Sequence, residues 1–151
     1  RMIIYFMSFS KKKYLLEIKI KVKGLRLEKY FIFTGYINAK SRTILKKINL
    51  LISLTKDFEG FGLSLAEALS VKTPVLSTKV GGVTEFLNKK NSKLIKPNNK
   101  KELKDALYDF ANNTQKWKKR AINGNKQIKK NFSSKIMATK YKNFFNSLLN
   151  K

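Results

Sequence analysis

The sequence predicts an α/β fold on a doubly wound parallel sheet, ending in helices. Short apolar runs at 29–33, 50–54 and 75–77 alternate with stretches of helical spacing, and strands separated by helices of this length imply parallel crossovers. Glycines gather where a strand gives way to a helix, at Gly60 and Gly62 and again at Gly81 and Gly82. Ligands collect at such carboxyl ends of parallel strands. Beyond Pro97 the apolar spacing is helical to the end of the 151 residues, a length that suits one domain over 1–151.

Residues 1–7 read as the first strand. Residues 9–25 carry Tyr14, Leu15, Ile18, Val22 and Leu25 at helical spacing, yet 17–23 alternates as a half-buried strand would, so the local pattern leaves helix and strand open. If it is a helix, Gly24 is expected to end it. Residues 29–33 form the next strand, closing at Thr34-Gly35, and Ser41 is a fair N-cap for a short helix through Ile48. The apolar run 50–54 is of buried-strand type, and 63–70, rich in Leu and Ala, is a helix.

The run 75–77 is a strand followed by the loop at Val80-Gly81-Gly82, which offers amides to a ligand or is a plain tight turn. Residues 92–96 are a weak, edge-like strand stopped by Pro97, and Asn99 caps a helix over 100–110 whose buried stripe is Leu103, Ala106, Leu107 and Phe110. Thr114 is expected to cap a second helix with Trp117 and Ile122, interrupted at Gly124. Ser133 or Ser134 caps a third running to Leu149, with Met137, Tyr141, Phe144, Phe145 and Leu148 on its apolar face.

The chain has only nine Asp and Glu residues, yet Asp57, Glu59, Glu67 and Glu85 fall in one span with Gly60, Gly62, Gly81 and Gly82. Gly60 and Gly62 can adopt positive φ, which lets a ligand approach the main chain. The first amides of the following helix lack internal partners and carry the positive end of its dipole, so an anionic group such as a phosphate fits there. Glu59 before the turn and Glu67 one helical turn beyond Leu63 can edge the same cleft. Carboxylates accept the paired hydroxyls of a sugar or ribose without a metal. The plain alternative is a strand–helix turn in which Phe61, Leu65 and Leu69 are core residues.

The segment Glu59-Gly60-Phe61-Gly62-Leu63, with Glu67 at E-x7-E spacing, resembles the signature of the group 1 retaining glycosyltransferases. The likeness continues through Ala68-Leu69, Thr73-Pro74-Val75-Leu76-Ser77-Thr78 and Val80-Gly81-Gly82-Val83-Thr84-Glu85-Phe86. It implies the C-terminal, Rossmann-like half of a GT-B fold, and its element order favours helix over strand for 9–25. It implies that Glu59, the catalytic position, touches the donor sugar's hydroxyls. The amides of Gly60, Phe61, Gly62 and Leu63 meet sugar and phosphate, and Glu67 holds the ribose. Gly81 and Gly82 would add a nucleotide loop. The implied reaction transfers a hexose from a UDP- or GDP-sugar to an acceptor hydroxyl with retention, with no cofactor and no obligatory metal.

The sequence also departs from the family. The basic residues that grip the phosphates in that family precede anything present here, and its Gly-rich turn is replaced by Met7-Ser8-Phe9-Ser10. The chain therefore reads as N-terminally incomplete, with the acceptor domain in a preceding portion or a separate subunit. In the family the terminal helix packs toward that other domain, so its apolar face is expected to be exposed here. A decayed, inactive fragment of such an enzyme is the alternative.

With no Cys there is no disulfide or thiolate metal site, and with no His no imidazole base or ligand. No apolar run approaches a membrane span, and a cytoplasmic protein is expected. A net charge of +25 is large enough to hold any polyanion weakly, including the anionic inner face of a membrane carrying a lipid-linked acceptor. Yet Lys is spread through every segment beside abundant Asn, Ile, Phe and Tyr, as AT-rich coding would produce. No specific nucleic-acid partner is expected, and a basic nucleic-acid-binding module is the least favoured reading.

Overall fold

The three strand pairings of the protein's computed structural model, which describes residues 4–6, 12–35 and 37–149, are all parallel. The chain divides into two compact units, residues 1–39 and 40–151. Each is an α/β assembly of parallel strands joined through helices, as the sequence predicts, with the strands lying in one two-stranded and one three-stranded sheet.

In the first unit β1 (Ile4–Phe6) pairs with β2 (Phe31–Phe33) in the register Ile4 to Phe31. Between them runs α1 (Lys12–Gly24). Parallel neighbours need a long crossover, and this settles the ambiguity over 17–23 in favour of helix. Gly24 does not make the turn that ends it. It is the last helical residue, and the left-handed step falls on Arg26, φ 55°. The Arg26 amide donates to the Lys23 carbonyl and that of Leu27 to Val22, the paired bonds of a Schellman cap. Residues 29 and 30, expected in the strand, are drawn into a 3-10 turn, Glu28–Tyr30. Of the predicted strand 1–7, Ile4–Phe6 is described, and Met7-Ser8-Phe9-Ser10 lies outside the described residues.

The second unit carries α2 (Ser41–Leu45), β3 (Leu51–Ser53), α3 (Leu63–Ser70), β4 (Val75–Thr78), a 3-10 turn (Gly81–Glu85) and β5 (Lys93–Ile95). Three helices follow: α4 (Lys100–Asn112), α5 (Thr114–Asn131) and α6 (Ser134–Leu149). The sheet order is β3-β4-β5. Central β4 is buried at all four positions, as a parallel strand covered on both faces should be. β5 lies at an edge, as its weak pattern suggests.

Caps explain the boundaries. The Asn99 side-chain oxygen accepts the Glu102 backbone amide at 3.0 Å while its side-chain Nδ2 donates to the Glu102 carboxylate at 2.9 Å, a reciprocal cap that starts α4. Ser133 rather than Ser134 caps α6, accepting from the Ile136 amide. Two expected caps differ. Ser41 is the first residue of α2, with Lys40 before it and no side-chain cap, and α2 stops at Leu45 rather than Ile48. Thr114 is the first residue of α5, and its hydroxyl donates back to the Phe110 carbonyl.

The expected break at Gly124 is absent, because α5 runs through it. A β-carbon there would meet the Leu69 side chain, so the glycine serves close approach of α5 to α3 rather than helix termination. One core joins Leu65, Leu69, Val75, Val83, Phe86, Leu87 and Ile128. A second joins Leu76, Ile95, Ala106 and Trp117, with Leu103, Leu107 and Phe110 packed against it, which is the stripe read from the sequence. Met137, Tyr141, Phe144, Phe145 and Leu148 on α6 are all exposed.

Candidate functional site

Two loops leave the carboxyl ends of neighbouring parallel strands and lock together. The first carries residues 54–62 from β3 to α3, and the second carries 79–85 from β4. Thr78, the last residue of β4, donates to the Thr55 carbonyl at 2.6 Å, fastening the bases of the loops. Above that bond the Gly82 amide donates to the Glu59 carbonyl at 2.9 Å. The glycines make the contact possible. A β-carbon on Gly81 would collide with the Glu59 carbonyl oxygen, and one on Gly82 with that of Gly60.

Gly62 occupies the N-cap of α3 with φ 78° and ψ 57°, a conformation that side-chain-bearing residues adopt only with strain. The first amides to bond back are those of Leu65 and Ala66, both to the Gly62 carbonyl. The Leu63 and Ser64 amides precede them, and Gly62 has no side chain to cap them. They stand at the positive end of the helix dipole. Gly60, by contrast, is not in the left-handed region. The freedom expected at both glycines is needed at Gly62 and Gly81, φ 51°, and Gly60 has open space about its Cα.

The two acids flank this helix start along the chain, Glu59 before Gly62 and Glu67 within α3. Glu59 is half-buried, and its carboxylate accepts from the Thr55 hydroxyl at 3.5 Å. Glu67 is exposed, on the same open edge of α3 as Leu63 and Ser64, while Leu65, Ala66, Ala68 and Leu69 face the core. Phe61 divides its roles. Its ring packs against Phe86 and Phe132 at 4.8 and 5.4 Å between centroids, so its side chain is structural and only its main chain is left for a ligand. Gly81 is exposed and Gly82 half-buried at the start of the 3-10 turn.

Supports that sequence reading missed hold this turn from behind. The Phe86 carbonyl, one residue past the turn, accepts from the Asn91 side-chain amide at 2.6 Å and from that of Gln127 at 3.1 Å. Gln127 in turn accepts from Asn91 at 2.7 Å. Asn91, Gln127 and Phe132 belong to no motif, and no spacing in the sequence marks them. A separate hollow of about 280 Å³ is lined by Lys46, Asn49, Lys72, Pro74, Thr114 and Lys118 among others. It lies at the amino ends of β3 and β4, away from the glycine loops and from the end where parallel sheets bind ligands.

The model of the family described as glycosyl transferases group 1 matches residues 11–128. The chain is 26% identical over 122 residues to the O-antigen chain mannosyltransferase C of Escherichia coli, covering 78% of this chain and 33% of that protein. Its fold superposes on the crystal structure of Anabaena HepE in complex with UDP with a TM-score of 0.89 at 21% identity, over 97% of this chain and 41% of that one. It is also similar to the C-terminal domain of a group 1 family protein, LpcC, from Francisella tularensis, with a TM-score of 0.72 and 25% identity over 82% of this chain and 64% of that one. The chain spans between about a quarter and a third of the curated relatives it first matches. These parallel sheets with flanking helices are those of GT-B glycosyltransferases, and the chain belongs to the group 1 glycosyltransferase family.

Proposed function

We propose that the chain is the donor-binding domain of a retaining hexosyltransferase, holding a nucleoside-diphosphate sugar at the interlocked glycine loops. The observation that carries this reading is Gly62: a left-handed N-cap with no side chain, which leaves the amides of the exposed residues Leu63 and Ser64 without a side-chain cap at the start of α3, with Glu59 before the turn and Glu67 on the exposed edge of the helix. Amides at a helix start suit a diphosphate. In this reading the main chain of residues 60–63 receives the phosphate and sugar, Glu59 takes sugar hydroxyls next to the reacting carbon, and Glu67 takes the ribose. Gly81 and Gly82 form the far wall. The UDP complex of a protein with this fold favours a uridine nucleotide, and a GDP-sugar is the other candidate.

The chemistry asked of these residues is stabilisation of a leaving diphosphate as the bond from the anomeric carbon to its oxygen breaks. Preorganised amides and a helix dipole do this without reorganising as charge develops. The acceptor hydroxyl then bonds to the same face of that carbon, and its proton leaves on the departing phosphate. No metal is required by this reading, so nucleotide binding should persist in EDTA. The acceptor is supplied by a further domain or subunit, on the cytoplasmic side and in peripheral contact with an anionic membrane.

Titration with UDP and GDP, followed by calorimetry and thermal unfolding, tests the reading. One of the two nucleotides should bind one-to-one and raise the Tm, and Glu67→Ala should abolish the shift. A chain that binds neither would be a decayed fragment. Duplex or single-stranded DNA binding that survives moderate salt, with no nucleotide binding, would replace the donor-site reading altogether.

A further inference from the structure

We infer that Gln127 on α5 is a positioning residue for the candidate donor site, setting the place of the Gly81–Glu85 turn and through it the loop that carries Glu59 to Gly62. The inference rests on the donor-site reading for its consequence, though not for its geometry. A chain of contacts leads from Gln127 to the loop. Its side-chain amide donates to the Phe86 carbonyl at 3.1 Å and accepts from Asn91 at 2.7 Å. Asn91, 2% exposed, donates to the same carbonyl at 2.6 Å and accepts from the Asn88 amide at 2.8 Å. The segment that leaves the turn is thus held by two side-chain amides that also hold each other.

The Phe86 ring leans on Phe61 of the signature loop, and Phe132, at the end of α5, leans on both, at 5.4 and 5.9 Å between centroids. The Gly82 amide then bonds the Glu59 carbonyl. A shift of the turn moves the site loop, because the backbones at Gly81 and Gly82 touch those at Glu59 and Gly60 with no side chain between to absorb it. Gln127 is half-buried, and each of its partners keeps another bond when it is removed, so its loss shifts the turn without emptying the core. Asn125, two residues earlier, is the contrasting case. It donates to the Leu69 and Ser70 carbonyls at the far end of α3, away from the helix start.

The test compares UDP binding by calorimetry, well below the melting temperature, for the 151-residue chain, Gln127→Met, Gln127→Glu and Asn125→Ala. Gln127→Met fills the same space without polar atoms, and Gln127→Glu keeps the acceptor for Asn91 but cannot donate to Phe86. Both should weaken UDP by about tenfold with unchanged stoichiometry and circular dichroism, whereas Asn125→Ala should lower the Tm and leave the affinity within about twofold. UDP binding by Gln127→Met within about twofold of the parent chain, or equal weakening by Asn125→Ala, would overturn the assignment. If the parent chain binds GDP and not UDP, GDP is the probe for the same comparison; if it binds neither, the donor-site reading fails and the positioning claim is decided by amide exchange at Gly82. Exchange about tenfold faster in Gln127→Met would sustain it, and an unchanged rate would overturn it.

Discussion

The space that a β-carbon would occupy on Gly82 is filled by the carbonyl oxygen of Gly60. The converse does not hold, because nothing approaches the corresponding position on Gly60 within 4 Å. Two glycines of one constellation therefore carry different burdens. Gly82 is small so that two backbones can meet, and Gly60 is small on a side that opens to solvent.

Gly82→Ala should destabilise the fold by about 1–3 kcal/mol, because the carbonyl it meets belongs to main chain that cannot swing aside. Gly60→Ala should change stability by less than about 0.5 kcal/mol. Urea unfolding of the two variants checks this contrast. Equal losses would mean that the loops do not interlock as described.

Lys72 should be improvable. It takes φ 66° where α3 ends, with its amide on the Leu69 carbonyl and the Thr73 amide on Ala68, the position in a Schellman cap that favours glycine. A left-handed non-glycine residue costs about 1 kcal/mol or more, partly offset by the greater freedom of glycine in the unfolded chain. Lys72→Gly should raise stability by about 0.5–1 kcal/mol, seen as a higher Tm; a lower one would refute the strain.

Asp109 should contribute to the acid limit of stability. Burial pulls its pKa upward, but the hydrogen bond from the Trp117 indole at 2.9 Å, those from Lys116 and Asn113, and the charge of Lys116 outweigh it and hold the carboxyl below its ordinary 3.8. A folded pKa below the unfolded one gives stability that is complete above the unfolded value and is lost as pH falls through the folded one. The stability difference between the parent chain and Asp109→Asn should therefore stay constant down to about pH 5 and shrink as pH falls from there through and below the ordinary 3.8. A difference that is constant over that range would show that the charge plays no part.

Local chemistry made much of this fold legible, and long-range contact hid the rest. The bounds of α3, the Asn99 cap and the stripe of α4 follow from neighbours within one or two turns, so spacing alone reveals them. Gly124 misled because its smallness answers to Leu69, 55 positions away, and not to its own helix. Gly24 misled because the left-handed residue of the Schellman turn falls two positions later, on Arg26, which takes it without being glycine. At the site, the signature residues stood out as rare acids and glycines in a lysine-rich chain. Gln127 and Asn91 did not, since an amide that steadies a carbonyl from a distant helix carries no periodicity.

The aromatic stripe of α6 has a colloidal consequence. Lys135, Lys140 and Lys142 share that helix with no acid among them, and the whole chain carries +25. In dilute buffer, mutual repulsion keeps such stripes on separate molecules apart, and added electrolyte shortens its reach to about 10 Å at 0.1 M and 3 Å at 1 M. Salt that solubilises most basic proteins by loosening them from polyanions would here let Tyr141, Phe144 and Phe145 find their counterparts on another copy.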